Sequence, residues 1–131
     1  MNLALWATQA ALAAVFAFSG IAKATGSKEA LVASGQTGLT RYSLRFIRFI
    51  AAAELFAVAG LTLPWALGIA RGLTPLAALG LAVIMVGAAL SHGQLALASE
   101  ARRAKELRNV ATNAFILAAC LFVAVGRLGM L

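Results

Sequence analysis

Charged side chains are scarce in this chain. They make up 11% of its 131 residues, against 63% hydrophobic residues and a mean hydropathy of +0.94. A soluble domain carries roughly 45–50% apolar and about 25% charged residues. Too little polar surface is therefore present to cover a water-soluble globule. The same scarcity excludes intrinsic disorder, because disordered chains are polar and highly charged. Acids are scarcer still: Glu29, Glu54, Glu100 and Glu106 stand against eleven Lys and Arg, for a net charge of +7. Cysteine occurs once, as Cys120, so no intramolecular disulfide, exchange pair or thiolate cluster can form. A lone thiol in an apolar run reads as a small hydrophobe. Histidine also occurs once, as His92, which makes no metal site and leaves haem without a second histidine. Length allows one domain. What remains is an integral membrane protein.

Long apolar runs are what the chain does have. Crossing roughly 30 Å of hydrocarbon takes about 20 mostly apolar residues, and four segments qualify. They run from about Leu3 to Ala22, Phe46 to Leu63, Leu73 to Ser91 and Val110 to Leu128. Pro64 is expected to stop the second. Thr74 is a plausible N-cap for the third, with Pro75 at its first helical position. Strands are disfavoured, since the runs are long and do not alternate polar with apolar residues. Nothing basic precedes the first run, which argues against a cleaved signal peptide. The expected fold is all-α: an integral membrane four-helix antiparallel bundle in a single domain, residues 1–131.

Basic residues are unevenly placed. The connection from about Lys23 to Arg45 carries Lys23, Lys28, Arg41 and Arg45, with Arg48 just inside the next span. The connection from about His92 to Asn109 carries Arg102, Arg103, Lys105 and Arg108, whereas the other side has only Arg71 and Arg127. Nine against two predicts that both longer loops are cytoplasmic and both termini outside, in a multi-pass protein of the inner (plasma) membrane. Trp6 and Trp65 fall at the outer interface of that topology, where indole rings prefer to sit. The positive charge then meets anionic lipid headgroups. Nucleic acid is not an expected partner, because basic and aromatic residues do not interleave as a base-stacking surface.

Smaller patterns lie within this frame. Ser27 to Ser34 can form two helical turns before Gly35, and Leu95 to Leu107 a longer amphipathic helix in which Arg102 and Glu106 pair four residues apart. Both read as solvated pieces lying on the anionic leaflet, with a lipid-sensing or partner-docking helix as the competing reading. Gly80, Ile84, Gly87 and Ser91 share one face of the third span, and Ala13, Ala17 and Gly20 one face of the first. Such small-residue stripes read as seams of close helix packing in preference to ligand grooves.

Glu54 is the outlier. Counting 1.5 Å per residue from Phe46 puts it roughly 12 Å below the cytoplasmic edge. An acid near the bilayer middle costs on the order of 2.5–3.5 kcal/mol, and such residues are functional-site candidates by default. It should face the bundle interior and be protonated or paired. Donors cluster in the same half: Ser19 and Lys23 at the end of the first span, His92 at the end of the third, and Asn113 one turn into the fourth. Glu54, Lys23 and His92 are the candidate catalytic residues, with Ser19 and Asn113 as ligand-binding candidates. For Lys23 the competing reading is a side chain snorkelling to headgroups, and for His92 an interfacial cap.

These residues also carry a resemblance. FAFSGIAKAT (Phe16 to Thr25) followed by RFIRFIAAAELFAVAGLTLP (Arg45 to Pro64) resembles the DoxX-like membrane proteins. In that family the first helix ends F-x-x-S/A-G-x-x-K, and the second carries a leading R-F-I, an inner E and a closing G-L-x-L-P. LTPLAALGLAVIMVGAALSH (Leu73 to His92) fits as well, terminal His included. The likeness covers nearly the whole chain and is weakest in the loop before the fourth span. Gly20, Lys23, Arg45, Glu54, Pro64 and His92 are the positions that match. The resemblance implies an antiparallel four-helix membrane bundle. It also implies a mixed set of roles, from the small subunit of a thiosulfate:quinone oxidoreductase and other membrane redox complexes to receptor-assembly or cargo factors in distant animal relatives. Relatives that handle thiols use cysteine pairs, whereas this chain has only Cys120.

Three functional readings stand open. The first is a subunit binding a quinone- or isoprenoid-like molecule in an intramembrane polar pocket, within a membrane redox complex. The second is an enzyme in its own right, an isomerase or epoxide-opening activity on a lipophilic substrate, with Glu54 as acid or base and Lys23 or His92 stabilising an oxyanion. The third is a non-catalytic assembly or chaperone subunit. Expected partners are the lipid bilayer, a lipophilic ligand and a second copy or complex subunit; no cofactor is specified.

Overall fold

Long helices account for nearly the whole chain. The computed structural model describes residues 2–131 and contains α1 (Asn2–Thr25), α2 (Lys28–Ala33), a 3-10 segment (Thr37–Arg41), α3 (Leu44–Leu67), α4 (Leu73–Ala98) and α5 (Arg103–Leu128). α1, α3, α4 and α5 are each long and apolar enough to cross a membrane, and there is no strand among the described residues. The four pack in the order α1, α3, α4, α5, with α5 returning to α1 along a lighter contact. Successive spans run antiparallel. Lys23 and Gln9 of α1 reach Glu54 and Leu61 of α3, in reversed order along the two helices. The core is apolar and central, built from Leu12, Phe16, Leu61, Leu81, Met85, Cys120 and Val123. Outward faces carry Phe18, Phe56, Val83 and Phe115, all strongly exposed as lipid-facing positions should be.

Caps explain several boundaries. Ser43 accepts the amide of Phe46 at 3.2 Å and opens α3, and Ser27 accepts that of Ala30 at 3.1 Å and opens α2. Gly68, at φ 71°, closes α3 in the left-handed conformation that glycine adopts freely.

Pro64 does not stop the second span: α3 continues to Leu67. A proline inside a helix deprives the carbonyl four residues earlier of its amide. Here that carbonyl belongs to Gly60, and the Thr74 hydroxyl donates to it at 2.7 Å. Thr74 is therefore not an N-cap. α4 opens at Leu73, after Gly72, and the Thr74 side chain serves the neighbouring helix instead. Gly60 also lets α4 come close, since a β-carbon there would meet the Ala77 Cβ at 2.8 Å.

Leu95 to Leu107 is not one helix. α4 runs to Ala98 and α5 begins at Arg103, with a break between. Glu106 consequently turns into the protein, fully buried, and does not pair with Arg102 on a solvated face. The stripe on α4 is likewise no seam of close contact. Gly80 and Gly87 are exposed, with open space where a β-carbon would stand, so that face lines grooves. On α1 the stripe does end in close packing, at Gly20.

Candidate functional site

Glu54 sits one residue before Leu55 on the face of α3 that meets α1, and it is wholly buried. Close approach is possible because Gly20 lies opposite. A β-carbon on Gly20 would come within 2.8 Å of the Leu55 Cγ and 3.3 Å of the Ala51 carbonyl. Ser19 and Lys23, four apart on α1, share one side of the helix. Lys23 extends inward, not toward headgroups, and its Nζ donates to Glu54 Oε1 at 2.8 Å and to Ser19 Oγ at 2.7 Å. Only 7% of Lys23 is exposed. The other carboxylate oxygen, Glu54 Oε2, is buried with no hydrogen-bond partner among the described residues. Arg48 fixes the end of α1 from α3: its Nη1 donates to the carbonyls of Lys23 and Gly26, the latter at 2.9 Å.

A second polar cluster lies at the same end of the bundle. His92 Nδ1 and Glu106 Oε2 are 2.6 Å apart, between α4 and α5. The Thr37 hydroxyl donates to Glu106 Oε1 at 2.7 Å, and the Asn109 amide reaches Oε2 at 3.3 Å. Thr37 thereby ties the 3-10 segment to the helices. Next to it, Tyr42 and Ser91 share a hydrogen bond at 3.0 Å.

The sequence-derived candidates are thus divided between two places. Ser19, Lys23 and Glu54 form one hydrogen-bonded chain. His92 is bonded to Glu106 and belongs to the second cluster. Asn113 is half-buried and makes no side-chain hydrogen bond among the described residues. Glu106, Thr37 and Tyr42 were missing from the candidate set. Glu106 has a signal in hindsight, since it lies three residues before Asn109 and at the depth of His92, but charge spacing with Arg102 masked it.

Between the two clusters lies a cavity of about 250 Å³. Lys23, Tyr42 and Ser91 supply its polar lining; Leu39, Phe46, Ile50, Val83, Ile84 and Met85 supply most of the rest. Tyr42 and Phe46 pack as a tilted pair, ring centroids 5.0 Å apart. Glu54 does not line the cavity and acts on it only through Lys23. Ile50, Val83 and Ile84 are shared with an open apolar groove of about 660 Å³, which continues between α3 and α4 past Gly80 to Gly60 and Leu73. Phe46 and Val83 are exposed at the lipid-facing rim. The polar lining at Lys23, Tyr42 and Ser91 thus adjoins a long apolar groove.

No curated protein and no solved structure matches the chain. One family model does, over residues 7–123, which takes in all four spans apart from the first five residues of α1 and the last five of α5. With nearly its whole length matched, this chain belongs to the DoxX-like family of membrane proteins.

Proposed function

We propose that this protein binds an amphipathic lipophilic molecule, quinone- or isoprenoid-like, with its polar head in the cavity at Lys23 and its tail in the groove between α3 and α4. The observation that carries this is that the two spaces adjoin, with Ile50, Val83 and Ile84 lining both. Pockets for whole drug-sized ligands span about 300–1,000 Å³. A 250 Å³ chamber suits one ring or headgroup, and the groove takes the remainder. Lys23 is the donor for a carbonyl or hydroxyl of the head. Glu54, 2.8 Å away, holds the Lys23 side chain inside the bundle. Tyr42 and Ser91 each exchange a hydrogen bond with the other and can redirect it to a ligand oxygen. The family's link to membrane redox complexes, implied by resemblance, makes a quinone-handling subunit the working assignment. Both basic loops face the cytoplasm in this reading, so the head site opens on that leaflet.

A second reading, an enzyme acting on the same class of molecule, is favoured by Glu54 Oε2. An unpartnered carboxylate oxygen beside a lysine can hold or release a proton through Lys23 during an isomerisation. The test begins with mass spectrometry of lipophilic molecules that copurify with the protein in detergent, followed by quinone titration of wild type and Lys23→Met. A copurified or saturably bound quinone, lost in Lys23→Met, supports binding. Chemical conversion of the bound molecule selects the enzyme reading. Absence of any bound lipophile in the wild type overturns both.

A further inference from the structure

The opposite end of the bundle holds a cation for which neither cluster accounts. Arg127, in the last turn of α5, is 0% exposed, and no carboxylate lies within ion-pair distance among the described residues. Its neighbours are neutral. Nε donates to Gln9 Oε1 at 2.6 Å, and Nη1 to Asn2 Oδ1 at 2.7 Å and to Met130 Sδ at 3.6 Å. The guanidinium carbon stands 4.2 Å from the Trp65 ring centroid and 5.2 Å from that of Trp6. Two donors are left over: Arg127 Nη2 and the Trp65 indole Nε1, both buried and both without an acceptor. Arg71, exposed, brings a second cation over Trp65 at 4.9 Å. An arginine does not escape such a position by losing its proton. Aromatic faces and amide oxygens offset part of its charge, yet burial without a counter-charge is among the costliest arrangements a protein can hold.

We infer that this end of the bundle is an oxyanion site that takes a phosphate group, with Arg127 Nη2 and Trp65 Nε1 as its donors and Arg71 as its movable cover. Four observations converge on an anion: an uncompensated guanidinium, two orphaned donors on touching groups, a second arginine, and no Asp or Glu side chain at this end. Depth selects phosphate among anions. Tryptophans of membrane helices settle at the headgroup level, which is where lipid phosphates lie. Arginine binds phosphate with two parallel donors in a fixed fork, so one free Nη is half of that geometry already set. The phosphate comes either from a phospholipid headgroup or from free phosphate. Exposed Leu63, Leu67 and Leu128 stand near by in sequence for the acyl chains that a lipid would bring.

Trp6 and Trp65 are the only tryptophans in the chain, and both touch Arg127, so tryptophan emission, excited at wavelengths that Tyr42 does not absorb, reports on this site alone. The protein is held in a maltoside detergent, which contains no phosphate, and titrated separately with short-chain phosphatidylglycerol and with inorganic phosphate against chloride at equal ionic strength. A saturable emission change is expected with at least one of them. Response to phosphatidylglycerol alone assigns a lipid headgroup, and response to both assigns the phosphate group itself. Trp65→Phe keeps an aromatic face but removes one donor, so the emission of Trp6 should report affinity weakened by about tenfold. Arg71→Gln alters only an exposed side chain and should weaken binding by a few-fold, roughly, while leaving the melting temperature unchanged. Arg127→Gln should abolish the response; if it does not fold, the other two variants still decide. No saturable change in the wild type, or identical titrations for wild type, Trp65→Phe and Arg71→Gln, overturns the site.

Discussion

Lys23 and Glu54 meet at 2.8 Å across the α1–α3 interface, and both are almost completely enclosed. Pairs of this kind contribute little net stability against an apolar substitute, because two charges have been stripped of solvation. Removing one member is another matter, since the survivor is stranded in low dielectric. The pair is thus better understood as a device that holds the Lys23 side chain at the wall of the cavity.

That asymmetry predicts a sign reversal in a double-mutant cycle. Lys23→Met and Glu54→Leu should each destabilise the detergent-solubilised protein by about 3–5 kcal/mol, whereas the double variant should regain most of that loss. Thermal or denaturant unfolding measures all four corners. Strict additivity of the two losses would show that the groups do not depend on one another.

Glu54→Gln separates charge from shape. Gln retains an oxygen acceptor for Lys23, so the bundle should keep its secondary structure by circular dichroism. Binding of a quinone-like ligand should fall by tenfold or more, on the order of one charge-assisted hydrogen bond. Unchanged affinity in a folded Glu54→Gln protein would mean that Lys23 does not serve the ligand.

Thr74→Val removes the hydroxyl that supports the Gly60 carbonyl above Pro64 while keeping its volume. Side-chain hydrogen bonds in membrane helices average ~0.6 kcal/mol, and the loss should lie between that value and about 2 kcal/mol because a buried carbonyl is left without an acceptor role. A compensating Pro64→Ala change restores the amide and should recover the loss. If Thr74→Val costs the same in the Pro64→Ala background, the two residues are not linked.

Orientation is tested by single thiols at Gln36 or Ser99 in a Cys120→Ala background. Both positions lie at the loop end, for which a cytoplasmic placement is proposed from the distribution of Lys and Arg. An impermeant maleimide should leave them unlabelled in intact cells and label them after permeabilisation. Labelling in intact cells reverses the assignment.

The four spans are legible in the sequence because hydropathy over 20 residues depends on composition alone. What hydropathy cannot convey is which side chain on one helix rescues a backbone group on another. Pro64 reads as a stop because its local effect is certain, while Thr74, ten positions on, acts only once α3 and α4 are packed. Glu54 and Lys23 were legible as an acid at depth with a basic residue within reach. His92 was assigned to that acid because Glu106 shares a stretch with four basic residues and scans as solvated surface. Arg127 is the clearest case of this kind. A cation in the last turn of a span looks like an interfacial flank, and its burial arises from Trp6, Trp65, Gln9 and Asn2, which converge only in three dimensions.

The ties between Asn2 and Arg127, 125 positions apart, bear on how the molecule is made. Spans leave the ribosome in order, and the first three can associate as they enter the bilayer through α1–α3 and α3–α4 contacts. The oxygens of Asn2 and Gln9 then wait in the membrane without their guanidinium until α5 has been inserted. Closure of α1 against α5 therefore waits for the fourth span, and a nascent chain truncated before Arg127 would leave the Asn2 and Gln9 oxygens without this donor.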